Sequence, residues 1–338
     1  MAADRYSRQV LFAPIGAEGQ KRISSALATV VGCGALGSTL ANLLARAGVG
    51  RIRIVDRDFV DLDNLQRQVL FDEEDVRAAL PKAVAAAAKL RRINSTIGIE
   101  PVVADVAYGN VESFVKDADV VVDGTDNFET RFVVNDACIK HGKPWIYGGC
   151  VGSYGMVLPV VPGETACLRC WIPEAPGPGS SPTCDTAGVL NSTVGVVASL
   201  QANEALKLLA ARKDALAPGL TVIDLWANSW QTMRVPRQPE CASCGRREFA
   251  FLEPRQSGTA ISLCGRNAVQ IAPPSGRLDL VEMERRLSPL GWVRRNEYLV
   301  RFSAEELEVT LFPDGRAIVQ GTGDPARARA VYAKYVGM

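Results

Sequence analysis

The most constraining feature of this chain is Gly32-Cys33-Gly34-Ala35-Leu36-Gly37. It lies between a short apolar run, Leu27–Val31, and a helical stretch, Leu36–Ala47, that stops at Gly48. Glycines at this spacing let the backbone turn tightly and approach phosphates, and the N-terminus of the following helix favours anions. The next strand, Arg51–Val55, runs into Asp56, an acidic residue placed to accept hydrogen bonds from ribose hydroxyls. These marks describe a nucleotide-binding strand–helix–strand unit. They name a ligand class but no reaction, since NAD and FAD enzymes share them.

The alternation continues. Pro81 opens an Ala-rich helix to about Asn94, with Pro at the first helical position where its missing N–H costs nothing. Ile99–Val103, Asp119–Asp123 and Pro144–Tyr147 read as strands, and Phe128–His141 as a helix. Strands separated by helices imply an α/β fold with a doubly wound, Rossmann-like, mostly parallel sheet. Beyond Gly149 come strands at Gly155–Val161, Leu220–Leu225 and Gln231–Val235, a long helix at Ala187–Ala211, and a Pro/Gly/Ser-rich segment, Pro173–Pro182, expected to be a mobile loop. A boundary is expected near Glu253–Gly258. It separates residues 1–253 from a small α+β tail domain, 259–338, with a helix at Asp279–Leu287, strands at Tyr298–Phe302, Leu307–Leu311 and Ala317–Gln320, and a final helix at Pro325–Tyr335.

Composition narrows the classes. The chain has 338 residues, 47% of them hydrophobic, enough for one large core and a smaller one. Lys and Arg total 38 against 37 Asp and Glu. That balance argues against general nucleic-acid or membrane-surface binding. Met1–Gln9 is polar, and no apolar run approaches the ~20 residues needed to span a bilayer, so a cytoplasmic protein is expected. There are nine cysteines and one histidine, His141, expected in an exposed turn at Lys140–Gly142. Histidine-based triads therefore have a single candidate.

Charge near the nucleotide loop points to a triphosphate. Asp63-Asn64-Leu65-Gln66-Arg67-Gln68 packs an arginine and three amides into one segment, and Lys82 sits at the positive end of the next helix. Hydride transfer does not need this much positive charge beside the nucleotide; a leaving pyrophosphate does. Gly124-Thr125-Asp126-Asn127 follows the strand Asp119–Asp123, at the carboxyl end where ligand crevices form in such sheets, and Asp126 is placed to hold Mg²⁺. No G-x-x-x-x-G-K-[ST] loop is present, which excludes a P-loop ATPase. Cys167/Cys170 and Cys241/Cys244 are two C-x-x-C pairs, the spacing of thiolate ligands for tetrahedral zinc. Cys33, Cys138, Cys150 and Cys264 read as small core residues.

Together, Ser7-Arg8-Gln9, GCGALG at 32–37, VDRDFVDLDNLQRQ at 55–68, Pro81-Lys82, DGTDN at 123–127 and the two C-x-x-C pairs resemble the MoeB/ThiF family, relatives of the ubiquitin-activating enzymes. The resemblance spans about residues 4–250. It implies adenylation, with Mg-ATP, of the C-terminal glycine carboxylate of a ubiquitin-like sulfur-carrier protein, ThiS-like or MoaD-like, ending in Gly-Gly. By position, Gly34 and Ala35 would line the nucleotide and Asp56 would bind ribose. Asn64, Arg67, Gln68 and Lys82 would hold the phosphates, and Asp126 with Asn127 would take the metal end. Arg8 would reach a phosphate across a homodimer interface. Cys184, in Thr183-Cys184-Asp185, would attack the acyl-adenylate or take part in sulfur transfer with a donor such as a cysteine desulfurase. The four paired cysteines would hold structural zinc.

The chain departs from the pattern at Ala35, where some relatives carry Gly, and at Glu73-Glu74, read as an insertion. The tail is not the rhodanese domain of other members. The chemistry agrees with the resemblance. A C-terminal carboxylate, with a pKa near ~3.5, is already ionised and needs no general base. The rival readings are an NAD-dependent oxidoreductase, an enzyme adenylating another carboxylate, and a non-catalytic scaffold.

Overall fold

The computed structural model describes residues 5–176, 184–253, 260–263, 267–271 and 277–337. The chain divides into two compact units, one ending at Pro254 and the other running from Arg255.

The larger unit opens with α1 (Ser7–Val10) and α2 (Gly16–Ser25). The core alternation comes next as β1 (Leu27–Val31), α3 (Ala35–Ala47), β2 (Arg51–Asp56), α4 (Glu73–Ala78), α5 (Lys82–Ile93), β3 (Gly98–Val103), α6 (Val111–Val115), β4 (Val120–Asp123), α7 (Phe128–His141) and β5 (Trp145–Val151). It closes with β6 (Tyr154–Val160), α8 (Leu168–Trp171), α9 (Cys184–Ala187), α10 (Asn191–Leu209), β7 (Leu220–Asp224) and β8 (Ser229–Met233). One eight-stranded sheet has the order β3-β2-β1-β4-β5-β6-β7-β8. Its first five strands are parallel, and β6, β7 and β8 join antiparallel. All five residues of β1, Leu-Ala-Thr-Val-Val, are buried, as a central parallel strand covered on both faces requires. Apolar side chains of α3, α5 and α10 fill one face, and those of α6 and α7 the other.

Local chemistry sets the ends. Gly34 caps α3, and Gly48, with φ +81°, ends it in the left-handed conformation usual after a helix. Asp72 accepts hydrogen bonds from the N–H groups of Glu74 and Asp75, so the stretch read as an insertion is the capped helix α4. The long helix expected from Ala187 to Ala211 is α10, which starts only at Asn191; Gly188, with φ +72°, separates it from the short α9. His141 closes α7, half-buried instead of lying in an exposed turn, and its Nε2 is 2.6 Å from Glu112 Oε1. Lys140 and then His141 hold the Glu112 carboxyl below its usual range. Cys33 and Cys138 are buried as expected, whereas Cys150 is only partly so; Cys264 lies outside the described residues, as do 177–183 of the Pro/Gly-rich segment.

The smaller unit holds β9 (Ala260–Leu263), β10 (Ala268–Ile271), α11 (Leu280–Leu287), β11 (Val293–Arg295), β12 (Val300–Ala304), β13 (Leu307–Leu311), β14 (Ala317–Gln320) and α12 (Pro325–Tyr335). Its strands form an antiparallel sheet in the order β11-β12-β13-β14-β10-β9. Val269, Val300, Phe302, Val309, Leu311 and Val319 meet Met283 and Leu287 of α11 and Val331 and Tyr332 of α12 in a separate apolar core. Strands β9, β10 and β11 go beyond the sequence expectation. Among the described residues, no helix is long and apolar enough to cross a membrane.

Candidate active site and cysteine centre

The glycine loop leaves β1 at Gly32, whose φ of +84° a side chain would strain. A Cβ on Gly32 would lie 2.6 Å from the Gly124 carbonyl oxygen, and one on Gly37 would lie 1.8 Å from that of Gly32. The loop after β1 and the loop after β4 therefore touch backbone to backbone. This puts Gly34–Leu36 and Gly124–Asn127 side by side at the carboxyl end of the sheet.

Asp56, at the end of β2, is tied to that loop. Its Oδ2 accepts from the Cys33 N–H at 2.6 Å and its Oδ1 from the Asp58 N–H at 2.7 Å. Burial raises its pKa, while Lys82 and these N–H groups work the other way. Lys82, the first residue of α5, is 2% exposed; its Nζ lies 3.6 Å from Asp58 Oδ2, and its N–H donates to the Asp58 carbonyl. An ammonium is rarely buried unless partnered, so this one is held in place at the helix's positive end.

The amide segment forms a 3₁₀ turn over residues 62–64 and continues through Arg67 to Gln68. Asn64 is buried, with Nδ2 donating to Asp63 Oδ1 at 2.7 Å and Oδ1 accepting from the Asp61 N–H. Arg67 Nη1 donates to the Asp63 carbonyl at 2.7 Å. Gln68 is 3% exposed, and its Oε1 is buried without a hydrogen-bond partner. Its Nε2 comes within 3.9 Å of where a Cβ on Gly34 would be. Leaving a buried amide oxygen unsatisfied costs roughly 1–3 kcal/mol, which a hydrogen-bond donor such as a water or a ligand hydroxyl would remove.

Asp126 is exposed at the mouth of the crevice, and Asn127 Nδ2 donates to it at 3.2 Å. Asn127 also caps α7 by accepting from the Thr130 N–H. Sequence reasoning missed the residues beneath. Asp123 is 1% exposed and accepts from the Thr125 hydroxyl at 2.7 Å, with burial raising its pKa. Arg131 lies 3.4 Å from Asp123 and donates to the Thr125 and Gly148 carbonyls. Gln201 of α10 donates to the Asp123 carbonyl at 2.8 Å. An arginine one turn into a helix gives no periodic or motif signal that it faces inward. Arg8 is exposed on α1; its neighbours anchor that helix, as Gln9 donates to the Ala47 carbonyl and Tyr6 Oη accepts from Asn94. Cys184 opens α9, and its side chain lies outside the described residues.

The second constellation packs against the middle of α7. Cys167 Sγ is 3.9 Å from Cys170 and 3.6 Å from Cys241, Cys170 is 3.3 Å from Cys244, and all four sulfurs fall within 4.8 Å. Four thiolates at ~2.3 Å from one zinc stand about 3.8 Å apart, so the donor set fits the ion. Cys167 and Cys170 share a hydrogen bond in which either sulfur can donate, and it raises the Cys167 pKa and lowers that of Cys170; the Gln238 N–H also donates to the Cys170 sulfur. Burial pushes Cys244 up to about 11. Helix α7 orients both knuckles: Asn135 accepts from the Leu168 N–H and donates to the Ser243 hydroxyl, and Asp136 accepts from the Phe251 N–H.

A glycine loop sealed onto a metal-loop candidate, a ribose-type carboxylate, a buried lysine at a helix start and a four-thiol cluster define a nucleotide-binding α/β protein built for phosphate chemistry. The model of the ThiF family matches residues 6–243, and the chain belongs to the ThiF family. It is 45% identical over 337 residues to the sulfur carrier protein ThiS adenylyltransferase of Bacillus subtilis strain 168, covering 98% of this chain and 99% of that one. It is 40% identical over 247 residues to a sulfur carrier protein adenylyltransferase of Thermus thermophilus, covering 72% of this chain and 90% of the relative. Among solved structures, E. coli MccB with ATP superposes with a TM-score of 0.63 at 26% identity, covering 72% of this chain and 75% of that one.

Proposed function

We propose that this chain activates the C-terminal carboxylate of a ubiquitin-like sulfur carrier by adenylation. The carboxylate oxygen forms a bond to the α-phosphorus of ATP, the bond to the bridging oxygen breaks, and pyrophosphate leaves with that electron pair. The observation that carries the reading is that the buried Gln68 amide stands beside the Gly34 position while the buried Lys82 is linked through Asp58 and Asp56 to the Cys33 N–H of the same loop, at a site with no histidine among its described residues. The attacking group is already an anion, so the residues have to bring two anions together and spread the charge of the leaving pyrophosphate. Gly34, Ala35 and Asp56 would seat the nucleoside, and Asn64, Arg67, Gln68 and Lys82 the phosphates. Asp126, with Asn127 beside it, would hold Mg²⁺, which neutralises phosphate charge when bound. Arg8 would act on the neighbouring subunit of a homodimer. Cys184 would take the activated acyl group, or sulfur from a donor such as a cysteine desulfurase.

Zinc on Cys167, Cys170, Cys241 and Cys244 would be structural, because four thiolates leave no position for a reactive water. Free thiols and ATP both suit a cytoplasmic setting. A ThiS-like carrier is favoured over a MoaD-like one, since the Bacillus subtilis relative matches along the tail as well. Pyrophosphate exchange with a panel of purified Gly-Gly carriers tests the reading. The ThiS-like carrier should support exchange above the others; no exchange with any member would remove the adenylation reading.

A further inference from the structure

Taken from the phosphate side, the sheet runs β4, β1, β2, β3. On the adenylation reading the glycine loop after β1 and the Asp126 loop after β4 would face the phosphates, and Asp56 at the end of β2 the ribose. Adjacent strands are ~4.8 Å apart, close to the separation of a ribose from its base. On that orientation the base would reach the end of the next strand, β3. Asp56 pairs in register with Val103, the last residue of β3, and the Ala104 N–H donates to the Asp56 carbonyl. The first carboxylate past that edge is Asp105.

Asp105 is fixed. Arg57 Nη1 donates to its Oδ1 at 2.9 Å, and Asn110 Nδ2 donates to its main-chain carbonyl at 2.7 Å. Arg57 Nε is 3.7 Å from Asp58, the residue that also holds Lys82. Burial opposes the charge on Arg57, but Asp105, Asp58, Asp126 and Asp56 outweigh it and keep the guanidinium protonated. The side chains of Arg57 and Asp105 are 24% and 27% exposed, so the pair leaves part of each accessible to a ligand.

We infer that Asp105 is the residue that selects the nucleobase, with Arg57 as its positioning partner and as a flat surface for the base. This rests on the adenylation reading for the identity of the nucleotide. An ionised carboxylate only accepts hydrogen bonds. It pairs with the exocyclic amine of a 6-aminopurine and repels the oxygen of a 6-oxopurine. A guanidinium plane stacks on either ring. Asp105 therefore discriminates, whereas Arg57 binds without discriminating.

The test measures Kd of the full-length protein for MgATP and MgGTP by calorimetry. Asp105→Asn, whose amide can donate to a 6-oxo group, should lower the preference for ATP over GTP at least about tenfold. Arg57→Gln should weaken both nucleotides with their ratio kept. A tie between strand ends with no role at the base would move both affinities together in both variants, so an unchanged ratio in Asp105→Asn overturns the proposal. A check free of substitutions uses the wild-type protein with the N6,N6-dimethyl analogue of ATP, which has no N–H to donate. It should bind at least about tenfold more weakly than ATP, and equal binding overturns the proposal. Carrier-dependent exchange is read on the same samples. Base selection by Asp105 without any exchange would support the subsite and remove the adenylation reading.

Discussion

The two units of this chain build their sheets in opposite ways. In the larger one, parallel strands β1, β2 and β4 each discharge at the same edge into a loop or helix start, which leaves N–H groups and short polar side chains facing one crevice. In the smaller one every strand pair is antiparallel. Where the turns are tight, the strand ends close on themselves: β12 passes to β13 through Glu305 and Glu306, both with positive φ, as a two-residue hairpin of this hand requires. Its helices α11 and α12 cover the sheet through apolar contacts. Chemistry collects where a parallel sheet leaves several chain reversals at one edge, and the antiparallel unit has no such edge. The Thermus thermophilus relative sharpens the contrast, because 90% of its length is matched by only 72% of this chain.

The largest expected effect belongs to the crevice. Asp126→Ala should lower pyrophosphate exchange by at least about a hundredfold without changing the melting temperature, because the side chain is exposed. Mixed in equal amounts with Arg8→Ala, it should recover about a quarter of the wild-type rate, since half the dimers would then carry one intact site. Near wild-type exchange in the single mutant would remove the metal role. Absence of rescue, with subunit exchange demonstrated, would remove the cross-subunit one.

The intermediate effect belongs to the cysteines. Metal analysis should find about one zinc per chain. Cys241→Ser, or stripping with a chelator, should lower Tm by at least about 5 °C while changing kcat of the folded fraction less than about threefold. The two knuckles lie far apart in sequence, and tethering them takes closure entropy from the unfolded chain. A metal-free protein of full stability would contradict a structural zinc. The smallest effect is expected from the tail. A chain ending at Pro254 should exchange pyrophosphate within about twofold of the full chain, and a loss above tenfold would place part of the adenylation machinery in the smaller unit.

Much of this was legible beforehand, for identifiable reasons. The glycine loop, Asp56 and the strand–helix alternation are written in residues whose backbone demands leave few alternatives. The four cysteines announce themselves by spacing, and the sulfurs do converge. Asp123, Arg131 and the Arg57–Asp105 pair were not legible, because their roles depend on which strands become neighbours. Glu73-Glu74 looked like loop because three acidic residues in the first turn of α4 mask its apolar positions; Asp72 was the overlooked sign. The break before α10 turned on the conformation of Gly188 within an apolar stretch that otherwise suits a helix.

The seam between Gly32 and Gly124 also sets a mechanical tolerance. Main chain rests on main chain there, with no room for a methyl group at either position. The loop that would seat the phosphates and the loop that carries Asp126 cannot be adjusted separately; they behave as one jaw. The spacing between the two main chains is then a property of covalent backbone geometry, and only the side-chain rotamers beyond it are left to adjust. Substitutions elsewhere can widen, tilt or recharge the crevice, but they will find this one spacing hard to tune.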